Sequence, residues 1–248
     1  MPYDYTISDQ KWLTDQELCT IYRKRLECDN DPYWRERFDL ATIAVLAVGM
    51  RVSEILEIYL HPTEGKSYCT LVEGPDGLQG RFYLVGTKGK GGGRKGRIAP
   101  KRHRLSQVIP EAVPWFKRRY EQRLRDGHNL LFSRQDGLPY RKLNLQEWWY
   151  QVMRLCGINR GWVKTDSGMK RHAIPSIHCG RHSFATWEIA SRRLAYEEVA
   201  AQLGNSPNMV RTTYAHAVME TIFLTDKTPA WRAEAMAMGQ GRHLRVAG

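Results

Sequence analysis

The sequence predicts a mainly α-helical domain with a small antiparallel β-sheet, an α+β class in one unit. Three observations predict it. Apolar residues recur at helical spacing along most of the chain, two short β-rich runs flank a glycine-rich tip, and neither a repeat nor a long linker interrupts the pattern. With 248 residues, 42% of them apolar and 26% charged, the chain is long and apolar enough for one globular domain with a substantial core.

Thr14-Asp15-Gln16-Glu17 has the form of a capping box ahead of Leu18, Ile21, Tyr22 and Leu26, which predicts a helix over 15–27. A second helix is expected from about Tyr33 to Val48, carrying Phe38, Leu40, Ala41, Val45 and Leu46, with Gly49 ending it. Arg51-Val52-Ser53-Glu54 opens a short third helix with Ile55, Leu56 and Ile58. Residues 61–80, rich in Gly, Pro and polar groups, read as loop with a short strand at 68–72. Strands are expected at Phe82–Val85 and Arg97–Ala99, with Gly86 to Gly93 as a hairpin tip between them. Helical spacing resumes over 110–126, 143–156, 177–191, 195–203 and 207–215. An amphipathic stretch runs from Thr228 to Met238, and Gly239 onward reads as a loose basic tail.

The formal charge is +12 and the pI about 9.6, a balance that suits a polyanionic partner. Basic residues concentrate in Arg94-Lys95-Gly96-Arg97 with Lys101-Arg102-His103-Arg104, and again from Lys117-Arg118-Arg119 to Arg125. No run approaches the length of a membrane span, and the first residues lack the pattern of a secretion signal, so a soluble intracellular protein is expected. Five cysteines without a Cys-x-x-Cys pair predict buried or idle thiols rather than disulfides or a cysteine-rich zinc site.

The chemistry concentrates in separate short segments. His178-Cys179-Gly180-Arg181-His182 places two histidines and an arginine on one helical face, because positions i, i+3 and i+4 are neighbours. Leu203-Gly204-Asn205-Ser206 and Thr212-Thr213-Tyr214-Ala215-His216 follow, and Gly49-Met50-Arg51-Val52-Ser53-Glu54 stands far upstream. Together with a lysine on the expected hairpin, these segments occur in the order of the five boxes of the tyrosine recombinases. The sequence resembles that family, the phage integrases among them, over roughly residues 14–216. The resemblance implies the tyrosine recombinase catalytic-domain fold, with 1–13 an N-terminal extension, 14–227 the catalytic domain, and 228–248 a C-terminal helix and basic tail available for protomer contact.

What the resemblance implies about roles agrees with the chemistry of phosphodiester cleavage. Arg51 and Arg181 would clamp the two non-bridging oxygens through bidentate hydrogen bonds. Tyr214 would attack phosphorus, giving a 3′-phosphotyrosyl link and a free 5′-hydroxyl. Its phenol, with an ordinary pKa near 10, needs help losing the proton, and His178 is placed to accept it. A hairpin lysine would protonate the leaving oxygen. Lys88 is favoured, because proton donation needs a position ordered by the strand, and Lys90 is the alternative. Lys90, Arg94, Lys95 and Arg97 would also hold the DNA backbone. Because the bond energy is kept in the phosphotyrosine, no cofactor, ATP or metal is implied. The implied partner is double-stranded DNA at a specific site, bound by a homotetramer, in a cytoplasmic, nucleoid-associated protein of bacterial, archaeal or phage origin.

Asn205 departs from the family, which usually has His or Trp there. It can donate a neutral hydrogen bond to a phosphate oxygen but cannot carry a proton, so slow cleavage or a DNA-binding protein with weakened catalysis is the alternative expectation. Glu54 is expected to hold a helix end or a basic neighbour, and His182 to brace the site or sit as a satisfied interior histidine. A zinc hydrolase using His178 and His182 is disfavoured, since Cys179 stands where the general-base Glu of that motif belongs. The type IB topoisomerases share the chemistry, but their box pattern is less close. Recombinases of this family usually carry a separate DNA-binding domain ahead of the catalytic one. The expected first helix near residue 14 leaves no room for it, which predicts either a catalytic fragment or a minimal recombinase. The apolar residues Ile222, Phe223, Leu224, Trp231, Met236 and Met238 fit either a helix swapped onto a neighbour or a self-packed lid.

Overall fold

The computed structural model describes residues 12–85, 103–159, 162–164, 170–172, 174–214 and 230–239. Helix α1 (Asp15–Glu27) begins with the expected capping box: the Glu17 amide donates to Thr14 Oγ1 at 3.2 Å, and the Thr14 amide donates to the Glu17 carboxylate at 2.7 Å. Asp31 caps α2 (Pro32–Asp39), with Pro32 at the first turn, where its missing N–H costs nothing. The chain then continues as a π-helical stretch, Leu40–Leu46, all of it buried. This wider winding ends as the Met50 amide donates to the Ala44 carbonyl and Gly49 turns the chain at φ +68°. That turn delivers Arg51 to the cap position of α3 (Val52–Ile55).

Four strands follow in spatial order β1 (Ile58–Tyr59), β2 (Ser67–Gly74), β3 (Gly77–Val85) and β4 (His103–Gln107). The sheet is mixed rather than purely antiparallel, since β1 runs parallel to β2. Much of the segment expected as loop over 61–80 is strand: Gly74 pairs with Gly77 across a two-residue turn at Pro75-Asp76, so those turn residues mark a hairpin tip. The strand expected at 97–99 lies outside the described residues, and β3 pairs instead with β4. Cys69, Phe82 and Ser106 form a buried row facing the helices. On the opposite face the Tyr68 and Tyr83 rings stack at 4.5 Å.

A single 3-10 turn (Pro110–Ala112) leads into α4 (Val113–Arg125), followed by α5 (Lys142–Leu155). A short β5–β6 ladder (Trp162–Lys164, Lys170–His172) precedes α6 (Ile177–Ala190) and α7 (Tyr196–Leu203). Helix α8 covers 207–214, and α9 is Ala230–Gly239. Helix α6 lies against the π-helical stretch at a spacing only glycine permits. A Cβ at Gly180 would stand 2.3 Å from Val45 Cγ1 and 2.8 Å from the Trp149 ring.

Helix α9 packs on α1. Tyr22 is sandwiched between Trp115 at 5.2 Å and Trp231 at 5.5 Å. Beside that stack, buried Arg232 donates to Glu188 at 2.7 Å and Glu111 at 3.3 Å. Much of the second basic run is engaged within the protein. Arg118 forks onto Asp29, Arg119 onto Glu36, and Arg123 donates to the Leu130 carbonyl and to Ser133. Lys117 and Arg125 lie on the surface, paired with Glu121 and Gln122, and Arg118 keeps part of its side chain exposed. The cysteines are all free thiols, and burial pushes Cys19 and Cys156 up to about 12, which leaves them protonated and inert.

Candidate active site

Arg51 has its backbone at the start of α3, where the Glu54 carboxylate accepts its amide at 2.7 Å and its guanidinium at 3.1 Å. Glu54 is itself buried. Burial alone would raise its pKa, but the forked hydrogen bonds from Arg104, both 2.7 Å, and the Arg51 charge hold the carboxyl below its ordinary value. The Arg51 side chain remains 40% exposed, so part of its donor fork faces outward.

Arg181 sits on α6 and is 2% exposed. It donates to the Gly49 carbonyl at 2.6 Å and to the Leu203 carbonyl at 2.6 Å, tying the first box to the end of α7. A Cβ at Gly49 would meet Leu203 Cδ2 at 2.8 Å and Phe184 Cδ1 at 2.9 Å, so this approach requires glycine twice over, for space and for φ. Burial and then the neighbouring Arg51 charge push the Arg181 guanidinium down to about 9, still protonated at neutral pH.

Asn205 follows the left-handed cap of α7 at Gly204. Its Oδ1 accepts from Arg51 at 3.1 Å and from Arg181 at 3.3 Å. Two cations thus share one neutral oxygen, and since a guanidinium offers only donors, the arrangement is chemically able to receive an anion. Its oxygen is thus engaged by both arginines, and the Nδ2 group is the part of the amide that can donate.

Tyr214 closes α8 and is 3% exposed. Burial raises its phenol pKa, and the charges of Arg181 and Arg51 oppose that rise. The aromatic ring against it is that of His182, at 5.4 Å, and His182 in turn meets His178 edge-on at 4.8 Å. His178 stands at the exposed end of this row. Its pKa is lowered by desolvation, then by Arg181 and Arg51, so its imidazole is neutral and able to accept a proton at neutral pH. No cluster of three His, Cys, Asp or Glu that could hold a metal occurs among the described residues.

The structure therefore brings Arg51, Arg181 and Asn205 into direct contact and lines up His178, His182 and Tyr214 beside them. Lys88, Lys90, Arg94, Lys95, Arg97 and His216 lie outside the described residues. Solved structures share this arrangement of elements. XerH site-specific recombinase bound to its difH substrate in a pre-cleavage complex is 20% identical, with a TM-score of 0.54 over 81% of this chain and 49% of that one. XerA recombinase is 14% identical, with a TM-score of 0.55 over 87% and 65%. The Tn1549 transposon integrase in complex with transposon right end DNA is 18% identical, with a TM-score of 0.51 over 86% and 64%. The fold is that of a tyrosine recombinase catalytic domain. The chain spans about half the length of the XerH chain, no protein-family model matches its sequence, and no curated protein matches it.

Within this tyrosine recombinase fold, two features escaped the sequence reading. His182, rather than His178, is the imidazole packed on Tyr214. Arg104, counted among the basic residues suited to a polyanion, is spent on Glu54. The second could not be found by spacing, because the two residues stand fifty positions apart and meet only in the folded chain. Among the described residues no helix is long and apolar enough to cross a membrane.

Proposed function

We propose that this chain is a site-specific DNA recombinase that cuts and rejoins strands through a 3′-phosphotyrosyl bond on Tyr214. The observation that carries the reading is the convergence of Arg51 and Arg181 on one oxygen, the arrangement a scissile phosphate would occupy, with Tyr214 close enough to feel both charges. In the reaction Tyr214 Oη bonds to phosphorus while the bond to the 5′ oxygen breaks. The phenol proton passes to the imidazole row, with His178 as its outer acceptor, and the hairpin lysine, Lys88 or alternatively Lys90, protonates the leaving oxygen. Lys90, Arg94, Lys95 and Arg97 hold the duplex backbone. The reverse steps rejoin the strand, so neither ATP nor metal enters the balance. Double-stranded DNA at a specific site is the partner, worked on by four protomers.

A second reading, a recombinase-like DNA-binding protein with weakened catalysis, draws support from Asn205, whose oxygen already fills the space between the arginines. One experiment separates the two. The protein and its Tyr214→Phe variant are expressed in cells, lysed under denaturing conditions, and any attached DNA is sequenced. DNA retained by wild type and lost with Phe supports cleavage and reveals the target. Duplex binding without any adduct supports the second reading.

A further inference from the structure

We infer that Arg104 is a positioning residue for DNA cleavage, acting through Glu54 and the Gly204–Asn205 turn on the arginine pair; this rests on the cleavage reading above. Four observations converge on it. Both guanidinium arms of Arg104 fork onto the two Glu54 oxygens at 2.7 Å, and those same oxygens receive the Arg51 amide and guanidinium. Arg104 also lies under the turn that carries Asn205: a Cβ at Gly204 would come within 2.9 Å of Arg104 Nη1. The strand itself is fastened to the last turn of α7, which leads into Gly204, since the buried Ser106 hydroxyl donates to the Gln202 carbonyl at 2.7 Å and Gln202 Nε2 donates to the Gln107 carbonyl at 2.7 Å. Finally, Arg104 is only 10% exposed, so its charge is committed inside the protein rather than offered to a phosphate.

The consequence is an ordered chain of contacts. Arg104 fixes Glu54, Glu54 fixes the backbone and head of Arg51, and Arg51 with Arg181 holds Asn205 Oδ1. A carboxylate left without Arg104 would be free to draw Arg51 wholly onto itself, away from the phosphate. Displacing a clamp by about an ångström is enough to slow a positioned reaction by about 100-fold.

The test uses the duplex recovered by covalent capture, nicked so that cleaved product is trapped. Arg104→Ala is expected to slow single-turnover cleavage about 100-fold while duplex affinity stays within about twofold, because its guanidinium is committed to Glu54. Arg104→Lys, which keeps the charge but not the fork, is expected to recover about 10-fold of that loss and guards against a folding failure in the alanine variant. In a Glu54→Gln background, Arg104→Ala is expected to add nothing further, since it acts through that carboxylate. A methylphosphonate at the scissile position lacks the charge that the clamp serves and is expected to narrow the gap between Arg104→Ala and wild type. Cleavage at the wild-type rate in Arg104→Ala, a loss explained wholly by weaker duplex binding, or losses that multiply with Glu54→Gln would each overturn the inference while leaving the cleavage reading intact. Failure of wild type to form any adduct would overturn the cleavage reading, and this inference with it.

Discussion

Asn205 is hydrogen-bonded to Arg51 at 3.1 Å, amide oxygen to guanidinium, and the same oxygen stands 3.3 Å from Arg181. A neutral side chain thus occupies the meeting point of two positive ones. The geometry is that of a place-holder: a single oxygen keeps two cations in register, but offers neither of them a compensating charge.

Replacing that oxygen with a charged one should therefore trade activity for stability. Asn205→Asp would add charge-assisted hydrogen bonds to both arginines, worth about 1.5–3 kcal/mol. The variant is expected to melt at a higher temperature than wild type and to form less than about one hundredth of its covalent DNA adduct. Thermal denaturation and denaturing capture, run side by side, check both halves.

The two arginines should differ sharply in what they contribute to folding. Arg181→Ala leaves the Gly49 and Leu203 carbonyls without their buried donor and is expected to cost about 2–4 kcal/mol. Arg51→Ala, at a side chain 40% exposed, is expected to cost about 1 kcal/mol or less. Urea midpoints measure the contrast, and equal losses would contradict it.

Gly49→Ala should damage the fold although it adds one methyl group. The backbone there has φ +68°, and the new Cβ would press on Leu203 and Phe184 at under 3 Å. A cost of about 2–4 kcal/mol is expected from strain and overpacking together. Alanine at the open turn Gly127, where a Cβ meets nothing within 4 Å, pays only the backbone part, about 1–2 kcal/mol.

His178 sets a pH expectation. Burial, followed by the Arg181 and Arg51 charges, holds its folded-state pKa below the ordinary 6.5. Between that lowered value and 6.5 the unfolded chain binds the extra proton. The histidine's contribution to stability is therefore complete above pH 6.5 and is lost as the pH falls through the lowered value. An NMR titration of the His178 ring is expected to give a midpoint below 6.5 that moves upward in Arg51→Ala.

Much of this site was legible because it depends on local spacing. His178, Arg181 and His182 share a face wherever a helix forms, and Gly49 ahead of Arg51 announces a turn. The rest depends on partners that sequence cannot pair. Arg118 and Arg119 read as a polyanion surface until Asp29 and Glu36 arrive from elements more than eighty positions away. Gly74-Pro75-Asp76-Gly77 has the composition of loop and the geometry of a two-residue hairpin turn. In the run Leu40–Leu46, apolar but for Thr42, nothing in the pattern distinguishes π from α winding, yet that winding sets where Arg51 emerges.

The stack of Trp115, Tyr22 and Trp231 also carries a message about timing. During synthesis Tyr22 leaves the ribosome about two hundred residues before Trp231, so one face of α1 and the carboxylates of Glu111 and Glu188 wait for α9. Tyr214 is translated before that closure. A nascent chain thus holds the Tyr214 hydroxyl on an unfinished scaffold, and a helix made after it completes the body on which it rests.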